Sequence, residues 1–183
     1  MRHGESECNK NKVWTGWIDS PLTEKGKEDA RIASKRLSHV SFDKIYASDL
    51  VRAVETARIV AEGAECEVSE LLREVNVGNI SGKSLSILTD EEKKKISEIG
   101  YTIFDGESQE HFKSRVVSFM ERLENEKYEN VAIFTHAGWL RTFLDVVMGF
   151  KIPRSKLTCA NCAIAIFEFS NGSWNVNSWM NLT

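Results

Sequence analysis

Val-Ala-Ile-Phe-Thr-His-Ala-Gly-Trp-Leu-Arg-Thr-Phe-Leu-Asp-Val-Val, residues 131 to 147, passes from one periodicity to another within a few positions. The unbroken apolar run Val131 to Phe134 suits a strand buried on both faces, as parallel sheets require. From Gly138 onward Leu140, Phe143, Leu144 and Val147 recur at helical spacing, so a helix follows directly. The same passage is expected earlier in the chain. Asp43 to Ser48 predicts a short strand, and Ser48 or Asp49 is placed to cap a helix reaching about Glu62, with Leu50, Ala53 or Val54, Ala57 and Val60 on its inner face. A helix capped by Thr23 and running to about Val40 precedes that strand, and Phe112, Val116, Phe119 and Leu123 predict another over about 107 to 126. Two late runs, AIAIFEF and WNVNSW, predict a hairpin around Asn171 and Gly172. This alternation predicts an α/β protein, a three-layer α/β/α sandwich around a mostly parallel sheet.

The chain has 183 residues, 42% of them hydrophobic and 28% charged, which is the composition of one globular domain, 1 to 183. Its formal net charge of -3 provides no global attraction to nucleic acid or anionic lipid, so anion recognition must come from a local cluster. No apolar run approaches the roughly 20 residues of a membrane span, and the N-terminus lacks the pattern of a signal sequence, so the expectation is a cytoplasmic protein with neither nucleic-acid nor membrane partner. The oligomeric state is open, a homodimer included. Four scattered cysteines argue for reduced thiols, and Cys159 and Cys162, in C-x-x-C spacing without a second pair, are expected to be plain strand residues.

Three short motifs share one placement. Arg-His-Gly-Glu at 2 to 5, Ser-Asp-Leu-Val-Arg-Ala at 48 to 53 and Thr-His-Ala-Gly at 135 to 138 are expected at strand ends. In a parallel sheet these gather on one edge with the helix N-termini, where free N–H groups and the helix dipole favour an anion. Arg2 and Arg52 match phosphate oxygens as planar forks and supply the positive charge that a metal supplies elsewhere, so no metal or cofactor is expected. His3 is the expected nucleophile and His136 the donor to a phosphoryl oxygen. Gly4 and Gly138 are expected to let backbone approach those oxygens. Glu74 is the candidate proton donor to the leaving oxygen, with an ion pair to Arg73 as the plainer reading. His39 and His111 are taken as structural. Trp14, Trp17, Tyr101, Phe104 and Trp139 either line an approach to the pocket or belong to the core.

These motifs resemble the histidine phosphatase superfamily, the phosphoglycerate mutase-like family, over nearly the whole chain. The likeness lies in R-H-G-E-S-x-x-N at Arg2 to Asn9, TGWIDSPLTEKG at 15 to 26, SDLVRAVETA at 48 to 57, L-R-E-x-x-x-G-x-x-x-G ending at Gly82, GES at 106 to 108 and THAGWLR at 135 to 141. The resemblance implies a phosphohistidine at His3, a phosphate pocket completed by Arg2, Arg52 and His136, and Glu74 as proton donor. Asn9 and the backbone at Ala137 are implied as secondary phosphate contacts. The implied activity is hydrolysis of a small phosphorylated metabolite by a metal-independent phosphomonoesterase of the histidine acid phosphatase type. Its alternatives are a cofactor-dependent mutase of the phosphoglycerate type and a non-catalytic phospholigand-binding module. About 25 residues between Gly82 and Ser108 form a modest lid segment, 83 to 108, as in the phosphatases. In the family an apolar strand precedes Arg-His-Gly, whereas here only Met1 precedes Arg2. Either that strand lies upstream of Met1 or it has been lost, activity with it. The expectation is a truncated first central strand and, because free chain ends fray, a loosely held His3.

Overall fold

The computed structural model describes residues 1 to 182. Three parallel strands form the sheet in the order β2-β1-β3, with β1 at Lys44–Ser48, β2 at Glu67–Ser69 and β3 at Val131–Phe134. Pairing is in register from Lys44 opposite Val131 to Ala47 opposite Phe134. An antiparallel hairpin, β4 at Ile164–Ser170 and β5 at Ser173–Met180, completes the strands, turning at Asn171 and Gly172 where both residues have positive φ. The helices are α1 at Glu7–Lys10, α2 at Glu24–Leu37, α3 at Val51–Val60, α4 at Asp90–Ile99, α5 at Gln109–Glu124 and α6 at Ala137–Met148.

The layers follow from strand alternation. Ile45 and Ala47 of β1 pack with Ala30 and Ala33 of α2 and Ala57 and Val60 of α3. Tyr46, between them, points the other way, into Phe112, Val116 and Phe119 of α5 and Trp139 and Phe143 of α6. Each large side chain buried there contributes roughly 1.5–3 kcal/mol. Trp139 is therefore core, its Nε1 donating to the Leu71 carbonyl at 2.9 Å, and it lines no approach to a pocket.

The expectation of a loose N-terminus is corrected. Residues 1 to 3 lie between β3 and the chain entering β4. Met1 N donates to Ile133 O at 2.6 Å, Thr135 N to Met1 O at 2.9 Å and His3 N to Thr135 O at 2.9 Å. On the other side Arg2 N donates to Ala163 O at 2.9 Å and Cys162 N to His3 O at 3.1 Å. Bonding on both edges fixes the backbone of a residue that would otherwise fray. Local chemistry corrects two further expectations. Thr23 does cap α2, accepting from Gly26 N, but α3 is capped by Leu50 without a side-chain bond, because Asp49 is held by Arg73 and Ser48 Oγ accepts from Leu50 N. Cys159 and Cys162 are buried in the turn before β4, not in a strand, and Cys162 has φ 58°.

Candidate active site

Three segments deliver their polar side chains to one place. His3 follows the N-terminal stub, Arg52 lies in the first turn of α3 just beyond β1, and His136 is the N-cap of α6 at the end of β3. The two imidazoles stand with ring centroids 5.1 Å apart, both buried. Thr56, one turn after Arg52, joins two of the segments: its hydroxyl accepts from Gly4 N at 3.0 Å and donates to Arg52 O at 2.7 Å.

His3 Nδ1 lies 2.6 Å from the Gly4 carbonyl oxygen. A carbonyl only accepts, so Nδ1 carries the hydrogen and Nε2 keeps its lone pair. Burial, then the charges of Arg52 and Arg2, hold the His3 pKa well below the ordinary value of 6.5 and so keep the ring neutral. Burial likewise lowers His136, with Arg52 the next cause.

The arginines are anchored by one part of the fork and free at another. Arg52 donates from Nη1 to Ile18 O and from Nη2 to Gly16 O, each at 2.9 Å, which gives the TGWI segment its role as a backbone cradle. Arg2 donates from Nη1 to Cys159 O at 2.6 Å. The Nε atoms of Arg2 and Arg52 and both ring nitrogens of His136 are buried without a hydrogen-bond partner. Buried polar atoms are rarely left so, and this set calls for an oxygen-rich anion. Asn9 Oδ1 accepts from Ser6 N at 3.2 Å and from Asn161 Nδ2 at 3.1 Å, which leaves its Nδ2 as the donating end. Ala137 opens α6, so its N–H is one of those without an intrahelical acceptor.

Glu74 comes from the loop after β2 and is fixed by backbone. Its Oε2 accepts from Gly138 N at 3.0 Å and its Oε1 from Val75 N at 2.9 Å. The ion pair with Arg73 does not form; Arg73 pairs instead with Asp49 and Glu70. The expected part of the two glycines is also corrected. A methyl group at Gly138 would collide with the Glu74 carboxylate, and one at Gly4 would lie 2.5 Å from Gly26 O, so each absent side chain makes room for protein rather than for phosphate oxygens.

Sequence reasoning missed what holds Glu74. Arg115 of α5 donates from Nη1 to the carbonyls of Glu70 at 3.3 Å, Leu71 at 3.0 Å and Arg73 at 3.3 Å, and from Nη2 to Glu74 O at 3.3 Å. Its charge is met by Glu107, at 2.8 Å from Nε and 2.9 Å from Nη2, and Glu107 also accepts from Asn76 N at 3.2 Å and lies 2.7 Å from His111 Nδ1. Burial pushes the Glu107 carboxyl up, but the bonds to Arg115, Asn76 and His111 together bring it below the ordinary value. His111 is structural, as expected. The signal was present in GES at 106 to 108 followed, eight residues after Glu107, by an arginine on the apolar face of a helix. Trp14, Tyr101 and Phe104 pack against Val77, Ile80 and Leu88, and Trp17 stacks over Arg73 at 4.7 Å while its Nε1 donates to Glu74 O at 2.7 Å. Among the described residues no three His, Cys, Asp or Glu side chains gather as a metal-ligand set, and no helix is long and apolar enough to cross a membrane.

The chain and its fold are similar to those of known proteins. The chain is 29% identical to the probable phosphoglycerate mutase GpmB of Photorhabdus laumondii, over 98% of this chain and 88% of that protein. Its structure resembles the α-ribazole phosphatase of Shigella flexneri, with TM-score 0.84 and 25% identity, covering 98% of this chain and 93% of the other. It also resembles a phosphoserine phosphatase of Entamoeba histolytica solved with 3-phosphoglyceric acid, with TM-score 0.83 and 26% identity over 98% and 94% of the two chains. The model of the histidine phosphatase superfamily (branch 1) matches residues 1 to 182, and the chain belongs to that superfamily.

Proposed function

We propose that the protein is a phosphomonoesterase that hydrolyses a small phosphorylated metabolite through a phosphohistidine at His3, without a metal ion or organic cofactor. The observation that carries this reading is the His3 ring itself: buried beside the His136 ring, with Nδ1 tied to the Gly4 carbonyl and Nε2 left as the nucleophilic atom, and kept neutral by burial and by the charges of Arg52 and Arg2. In the first step Nε2 bonds to phosphorus and the ester P–O bond breaks. The electron pair leaves on the alcohol oxygen, which takes a proton from the acid form of Glu74. The imidazole becomes cationic, and the Gly4 carbonyl on Nδ1–H steadies that charge. Arg2, Arg52 and His136, with Asn9 and the Ala137 N–H, hold the phosphoryl oxygens as charge shifts among them. In the second step a water gives its proton to the Glu74 carboxylate and bonds to phosphorus. The P–N bond breaks, its pair returns to Nε2, and inorganic phosphate is released.

The whole chain is read as one domain, with segment 83 to 108 as its lid. The mutase reading draws on the likeness to the probable phosphoglycerate mutase GpmB of Photorhabdus laumondii, and it requires a bisphosphate primer and no net release of phosphate. A panel of phosphate esters assayed with chelator present, on the parent and on His3→Ala, tests the proposal. Chelator-resistant phosphate release without primer that disappears in His3→Ala is the expected result; primer-dependent isomerisation of a phosphorylated acid without net phosphate release returns the mutase, and binding of phosphate with no turnover of any ester returns the binding module.

A further inference from the structure

The Cys-x-x-Cys spacing at 159 to 162 has no part in the scheme above, yet the turn it marks touches three residues of the phosphoryl pocket. Its two thiols enter opposite cores. Cys162 joins the cluster of Met1, Ala30 and Ala33, and Cys159 that of Tyr46, Trp139 and Phe143, so the turn is anchored on both faces of the sheet. The end of β5 braces it as well: Trp179 Nε1 donates to Thr158 O at 2.9 Å, and Ala160 N to Asn181 Oδ1 at 2.8 Å. Cys162, at φ 58°, holds a left-handed conformation that is unfavourable for a residue with a side chain and persists only where its surroundings over-determine it.

This bracing turns a row of groups toward the N-terminal segment. Arg2 Nη1 donates to Cys159 O at 2.6 Å, Cys162 N to His3 O at 3.1 Å, and Asn161 Nδ2 to His3 O at 3.3 Å and to Asn9 Oδ1 at 3.1 Å. The last bond has a chemical consequence. A primary amide accepts at one end and donates at the other, and a half-turn exchanges the two. Toward phosphoryl oxygens the nitrogen end binds and the oxygen end repels. Ser6 N already donates to Asn9 Oδ1 at 3.2 Å in the capping box of α1, but one bond lets the amide swing about it. A second donor on the same oxygen fixes both the end and the plane. We propose that Asn161 is a positioning residue of the phosphoryl pocket, 152 residues along the chain from Asn9, which clamps the Asn9 amide with its nitrogen toward the phosphoryl oxygens. It acts on the phosphate through Asn9. The His3 carbonyl depends on it less, because Cys162 N still donates there when Asn161 is cut.

The role rests on the phosphoryl pocket proposed above, so inorganic phosphate is the probe. Its Kd is measured by calorimetry for the parent, Asn161→Ala, Asn9→Ala and the double variant, with Tm read beside it. Asn9→Ala is expected to weaken phosphate at least about tenfold, the scale of one hydrogen bond to a charged group, and Asn161→Ala about three- to tenfold. The double variant is expected within about twofold of Asn9→Ala, because a clamp has nothing left to hold once the amide is gone. Losses that multiply overturn the proposal and leave the pocket standing. So does a fall in Tm of Asn161→Ala with Kd unchanged, or an Asn9→Ala protein that binds phosphate as well as the parent. Absence of phosphate binding by the parent removes the pocket and this role together. Asn161→Asp keeps the shape of the side chain but offers an acceptor in place of the donor, so it is expected to turn the Asn9 amide over. The Asn9 side-chain amide resonances, assigned against Asn9→Ala, then lose the shift that phosphate produces in the parent. A shift of the same size in Asn161→Asp overturns the proposal.

Discussion

Gly138→Ala separates catalysis from stability at a single atom. A methyl group built at residue 138 lies 3.1 Å from the Glu74 carboxyl carbon and 3.4 Å from Oε2, and it overlaps Oε1. The carboxylate must withdraw by about 1 Å and give up the 3.0 Å bond from Gly138 N. A displacement of that size in a reacting group costs on the order of 100-fold in rate, about 2.7 kcal/mol of barrier. The fold gains instead. Residue 138 lies in the first turn of α6 without positive φ, and alanine is favoured over glycine in helices by up to about 1 kcal/mol. The assay is the rate of alcohol release in a single turnover, compared between an alkyl phosphate and p-nitrophenyl phosphate. The nitrophenolate leaves without a proton, so its loss is expected to be much smaller than the 100-fold loss for the alkyl ester, while Tm holds or rises. Equal losses for both esters, or an unchanged alkyl rate, would refute the placement of Glu74 as the proton donor.

Stability carries its own pH signature. His3 and His136 are both lowered in the folded protein, so below pH 6.5 the unfolded chain binds two protons that the native one refuses. Stability is complete above that value and falls with pH by about 2.7 kcal/mol per unit until the folded-state values are reached. Urea titrations between pH 6.5 and 5.5 read the slope, and His136→Asn is expected to halve the histidine contribution. Arg115→Met leaves Glu107 buried without its partner and is expected to cost about 3–5 kcal/mol in denaturant melts. Replacing both by apolar residues of similar volume recovers much of that stability but not the rate, because the backbone carrying Glu74 stays unclamped. Thr56→Val strips the acceptor from Gly4 N–H and is expected to cost about 1–3 kcal/mol, with weaker binding of phosphate as inhibitor.

The elements legible in the sequence are those whose apolar period is long and one-sided. Residues 112 to 123 and 131 to 147 fall into this class. Helix α4 was not anticipated because its exposed stretch DEEKKKISEI has little apolar period, although the capping box of Thr89 with Glu92 was there to be read. β2, at three residues, is too short for any alternation to register. Arg52 and His136 stood out in the sequence because each follows a strand, Arg2 and His3 because they open the Arg-His-Gly-Glu motif, and all four carry chemistry that a plain core would not use. The holding of residues 1 to 3 was not legible, since their bonds come from residues 133, 135, 162 and 163, far along the chain. The same applies to Glu74, whose orientation depends on the missing side chain of a glycine 64 residues away.

The central claim is a covalent bond between phosphorus and one nitrogen of His3. Rapid acid-free quenching during turnover of a labelled ester, followed by peptide mapping and 31P NMR, measures it directly. The account predicts an acid-labile phosphopeptide holding residue 3, phosphorylated on Nε2, formed at a rate that matches turnover and absent from His3→Ala. Steady phosphate release with no phosphoprotein at any time, or with the label on His136, would contradict it.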